Sequence, residues 1–146
     1  MNRKTRILIV EDDTPVAMMM VHVLARAGYE VQVANTGKKG MVLALESKSD
    51  LFVLAVDLPD INGFEICSEL KQRHLTRHTP VVFTSGRSCE EERRHSFELG
   101  ALDYIATPFE ATDFIFRITS QAKAKTSSVM VLSRKEAAGL QTMCKC

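Results

Sequence analysis

Short apolar runs along the chain alternate with longer stretches in which apolar residues recur every three or four positions. The runs fall at residues 7–10, 31–34, 51–56, 81–84 and 104–106. Most are nearly continuous in β-branched or large apolar side chains, as strands covered on both faces by helices must be. The stretches between them read as helices. Over residues 15–27, Val16, Met19, Met20, Val23, Leu24 and Ala27 share one helical face, with Thr14 expected as N-cap, Pro15 at the first helical position and Gly28 as the stop. The methionines of the 18–20 run are expected in the core rather than as a soft-metal surface. Further helices are expected at 37–47, 63–73, 89–99 and 110–125, the fourth opened by a capping box of Ser88 and Glu91. In the fifth, Phe114, Ile115, Ile118 and Ala122 make one apolar face.

The order is strand then helix, repeated through the chain. Right-handed crossovers turn such an order into an α/β fold, a (βα)5 three-layer sandwich with a central five-stranded parallel sheet. One compact domain is expected over residues 1–125. The polar residues 126–128 mark a boundary, and 126–146 form a tail or the start of a linker, with an apolar run at 129–132 that could dock on the body.

A formal net charge of +1 gives no reason to expect nucleic acid or an anionic membrane as a partner of this domain. The apolar residues near the start are too few for a signal peptide or a membrane span, so a cytoplasmic location is expected. Cys67, Cys89, Cys144 and Cys146 are expected as reduced thiols, because a chain this long can build its own core.

In an open parallel sheet, function collects in the loops that leave the carboxyl ends of the strands. The first strand ends in Glu11-Asp12-Asp13, carboxylates crowded closely enough to repel unless a cation compensates. The third strand runs into Asp57-Leu58-Pro59-Asp60-Ile61-Asn62-Gly63, the fourth into Ser85-Gly86, and the fifth into Thr107-Pro108-Phe109.

Together these loops resemble the receiver domains of two-component response regulators, a flavodoxin-like, CheY-like family, over residues from about 5 to 125. The resemblance implies a signalling module in which an aspartate at the end of the third strand takes a phosphoryl group, with magnesium held by an acidic pair. It also implies a hydroxyl after the fourth strand, a lysine after the fifth, and an aromatic switch residue. Glu11 and Asp12 match the metal pair, with Asp57 as an added metal-site carboxylate; Ser85 matches the hydroxyl, Gly86 the small residue after it, and Tyr104 the switch. Thr107-Pro108 matches a peptide that is often cis in the family. Implied partners are a histidine kinase, a phosphotransfer or output protein, and a second copy through the face made by the fourth helix, fifth strand and fifth helix.

Two positions depart from the pattern. Counting back from Pro59 places Ala55 at the acceptor, and counting back from Pro108 places Thr107 at the lysine. A methyl cannot attack phosphorus, and a threonine lacks the fixed positive charge. The expectation drawn from this is a degenerate receiver, not an enzyme, acting as a phosphorylation-independent interaction module with weak or no magnesium binding. The alternative is an active receiver that accepts a phosphoryl group on Asp57 with magnesium. Asp57 shares the strand face of Ala55 but lies about 6.6 Å further along.

Overall fold

The computed structural model describes residues 3–87 and 89–124. The expected capping residue Ser88, the tail 126–146 and its cysteines Cys144 and Cys146 lie outside the described residues. The strands are β1 (Arg6–Val10), β2 (Glu30–Ala34), β3 (Leu51–Ala55), β4 (Val81–Ser85) and β5 (Asp103–Ala106). The helices are α1 (Thr14–Arg26), α2 (Gly37–Glu46), α3 (Gly63–Gln72), α4 (Glu90–Glu98) and α5 (Ala111–Ala124).

All strand pairings are parallel, in the order β2-β1-β3-β4-β5. Alternate side chains of each strand enter different cores. Ile7, Ile9, Leu51, Val53, Val82 and Ile105 face Met20 and Leu24 of α1 and Phe114 and Ile118 of α5. Leu8, Val10, Phe52, Leu54, Phe83 and Tyr104 face Ala44 of α2 and Ile66 and Leu70 of α3. Each fully buried large side chain contributes roughly 1.5–3 kcal/mol relative to exposure. This double coverage is the physical reason the strands lack polar alternation.

Several local expectations change. Asp13, not Thr14, caps α1, its side chain accepting from the Val16 amide, so Thr14 becomes the first helical residue. Gly28 ends that helix with φ +99°, the left-handed region that costs glycine little. Of the methionines expected in the core, Met20 is buried but Met18 is exposed. Cys89 is the N-cap of α4 and makes no side-chain capping bond. Cys67 is free and buried.

Candidate functional site at the carboxyl edge of the sheet

Strand register fixes what reaches the crevice. Val10 pairs with Leu54, and Ala55, the last residue of β3, pairs with Thr84. Ala55 is 5% exposed and follows Leu51 and Val53 on the face covered by α1 and α5. Behind it, Gly63 opens α3 so close to the strand that a Cβ there would lie 2.1 Å from the Ala55 carbonyl oxygen. The Gly63 amide donates to the Val56 carbonyl at 2.8 Å. The loop between is held at its far side as well: the Asp60 carboxylate accepts from the Gly37 and Lys38 amides at 2.7 and 2.9 Å. Those contacts, the Lys38 amide foremost, hold the Asp60 carboxyl below its usual range.

Asp57 stands beyond the strand, exposed to solvent. Its Oδ2 lies 4.0 Å from Arg87 Nε, both side chains more than half exposed. Glu11 is nearly buried, and its Oε2 accepts from the Asp13 amide at 3.0 Å. Burial raises the Glu11 carboxyl above the ordinary value, and the charges of Asp12 and Asp13 push the same way against that amide bond. Among the described residues there is no group of three or more His, Cys, Asp or Glu placed to hold a metal ion. Glu11 and Asp12 do supply crowded, uncompensated oxygen donors of the kind a hard divalent cation takes.

A second constellation surrounds the ends of β4 and β5. Ser85, buried, donates from Oγ to Glu92 Oε1 at 2.5 Å and accepts from the Arg87 amide at 3.1 Å. The Tyr104 hydroxyl lies 2.5 Å from the same Glu92 oxygen and 2.7 Å from the Arg87 carbonyl. Burial, then the bond to Glu92, pushes the Tyr104 phenol up to about 12. Thr107 donates from its amide and its hydroxyl to the Ser85 carbonyl, at 2.6 and 3.2 Å, and the Thr107-Pro108 peptide is cis. The space over Gly86 is open as far as Thr107 Oγ1, 3.8 Å from where a Cβ would stand.

The fold therefore gathers Ser85, Gly86, Tyr104 and Thr107 at one end of the edge, sets Glu11 and Asp12 as an acid pair, and turns Asp57 to Arg87. Sequence reasoning missed Arg87 and Glu92. The 90–94 charge run looks like a solvated helix start, yet Glu90 is buried and Arg93 reaches the Tyr104 carbonyl at 3.4 Å. The signal for Glu92 was its spacing: Ser96, four residues on, is fully buried, and Leu99, seven on, packs on the core, so Glu92 shares the sheet-facing side of α4.

The parallel α/β sheet thus carries its acids, hydroxyls and Tyr104 in the loops and strand ends of one edge. The family model described as the response regulator receiver domain matches residues 7–119. The chain belongs to that family. It is 36% identical over 114 residues to the response regulator ArlR of Staphylococcus epidermidis, covering 78% of this chain and 51% of the relative. It is also 36% identical to the transcriptional regulatory protein CreB of Escherichia coli, covering 81% and 50%. Among solved structures, a putative response regulator from Chloroflexus aurantiacus superposes with a TM-score of 0.79 at 32% identity, over 83% of this chain and 99% of that one. The chain spans about half the length of the curated relatives it matches. Signalling through protein partners, as receivers do, is part of that identity.

Two expectations are corrected. Ala55 and Thr107 led to a degenerate, phosphorylation-independent receiver, and to the absence of any enzyme-like chemistry. The loss of an acid from one rung does not empty the crevice: the matched region includes Asp57, whose carboxylate is intact, open to solvent and ion-paired with Arg87. Neither the degenerate reading nor the exclusion of chemistry is retained. No helix among the described residues is long and apolar enough to cross a membrane.

Proposed function

We propose that this chain is the receiver of a two-component phosphorelay regulator, taking a phosphoryl group on Asp57. The observation that carries the proposal is the exposed Asp57 carboxylate beside Arg87 at the carboxyl edge. A carboxylate oxygen of Asp57 attacks the phosphorus of a donor and an acyl phosphate forms on the side chain, while the bond from phosphorus to the leaving group breaks, the imidazole nitrogen of a phosphohistidine or the carboxylate oxygen of acetyl phosphate taking the electron pair. The acceptor so placed lies two residues past Ala55, outside the hydrogen-bonded strand, so the donor approaches from solvent. Arg87 supplies the positive charge that Thr107 lacks, and a guanidinium suits a phosphoryl group better than a point charge does. Glu11 and Asp12 are the proposed magnesium ligands.

Upstream, the proposed donor is a histidine kinase or a phosphotransfer protein; downstream, the surface of α4, β5 and α5 meets an output protein or a second copy. That role sets the protein in the cytoplasm. The curated relatives are regulators about twice as long as the matched region.

Incubation with acetyl phosphate and magnesium, followed by intact-mass measurement, tests this. One added phosphoryl group is expected, absent after Asp57→Asn. An unmodified wild-type mass, or a modification that survives Asp57→Asn, overturns the assignment.

A further inference from the structure

We infer that Glu92 is the positioning residue that holds the switch at rest, because one carboxylate oxygen engages both hydroxyls on which the switch depends. Ser85 Oγ and the Tyr104 hydroxyl each lie 2.5 Å from Glu92 Oε1. A serine hydroxyl has one proton. While Ser85 donates it to Glu92, that proton is unavailable to a phosphoryl oxygen, and Ser85 must exchange acceptors to contact one. The Tyr104 phenol is held by the same atom, so the exchange at Ser85 and the release of Tyr104 are coupled through α4, the helix that carries Glu92.

The β4–α4 connection closes the circuit. The Arg87 carbonyl, 2.7 Å from the Tyr104 hydroxyl, competes with Glu92 for its one proton, the Arg87 amide donates to Ser85, and the Arg87 side chain pairs with Asp57. Added negative charge at Asp57 strengthens the pull on the Arg87 guanidinium, whose own backbone contacts both Ser85 and Tyr104. That last step rests on the proposed phosphorylation of Asp57; the resting lock does not. The high phenol pKa of Tyr104 agrees with a hydroxyl held against a carboxylate in a poorly solvated site.

The chain has two tyrosines, so Tyr29→Phe leaves Tyr104 alone to report. The protein in that background, labelled with 3-fluorotyrosine, is followed by fluorine NMR without any phosphodonor, which separates this test from the fate of Asp57. A single narrow line is expected for the parent. Glu92→Ala should shift it toward the position of free fluorotyrosine and broaden it through exchange, and Glu92→Gln, which keeps an acceptor oxygen, should restore most of the parent line. Should Glu92→Ala fail to fold by circular dichroism, Glu92→Asp, one methylene short of reach, takes its place. A folded Glu92→Ala or Glu92→Asp protein with the parent line overturns the inference.

Discussion

Glu11 shows how one side chain can set the balance between stability and function at the sheet edge. Its carboxyl is pushed up chiefly by burial and then by Asp12 and Asp13. A raised folded-state value means the native state holds its proton to higher pH than the unfolded chain does, so stability falls as pH rises from about 4.5, the ordinary value, through the folded value. Ionised Glu11 is therefore a cost at neutral pH. Glu11→Gln keeps an acceptor for the Asp13 amide and removes the charge. Urea unfolding should give a more stable protein than the parent at pH 7, the gap closing as pH is lowered toward 4.5. Magnesium should raise the stability of the parent more than that of Glu11→Gln, because only the parent presents both carboxylates.

At the scale of elements, the junction of β3 and α3 governs the edge. Gly63 permits α3 to begin against the Ala55 carbonyl, and the side of the helix that follows buries Ile66, Cys67 and Leu70. A methyl at residue 63 would meet backbone rather than the flexible end of a side chain. Relief requires moving the helix off the sheet, so Gly63→Ala should cost about 3 kcal/mol or more in denaturant unfolding. A loss under 1 kcal/mol would show that the junction yields easily.

The same junction marks what the sequence made legible. Every strand and helix lay within a few residues of its expected position, because burial on both sheet faces leaves an apolar signature. Cap identity was less legible: Asp13 and Thr14 are both capping types, and which one caps depends on the exit angle of β1. Least legible were Arg87 and Glu92, whose partners Asp57, Ser85 and Tyr104 come from other loops and strands. The inference from Ala55 to a silent site failed for a related reason. It weighed Asp57 as the alternative and set it aside for its offset of about 6.6 Å along the strand, a distance that presumes the strand continues past Ala55, where β3 in fact ends.

Across the whole molecule, large apolar side chains left in solvent fall on different faces. Met18, Val33 and Val42 lie around the α1–β2–α2 edge, Leu75 follows α3, and Phe116 stands on α5, 70% exposed. Phe116 adjoins Arg117, which bridges Asp113 and Asp103, so this face presents an aromatic beside an ordered charge array. Aromatic anchors with fixed polar neighbours carry much of the energy of protein contacts. If copies associate through α4, β5 and α5, Phe116→Ser should weaken association about tenfold, a loss of about 1.4 kcal/mol. Because Phe116 contributes little to the core, folding stability should change by no more than about 0.5 kcal/mol. Sedimentation with and without phosphodonor reads the association, and urea unfolding reads the control. Met18→Ser makes the comparison decisive: loss of association there, with Phe116→Ser unaffected, would move the interface to the opposite edge of the sheet, where α1 borders the free strand β2.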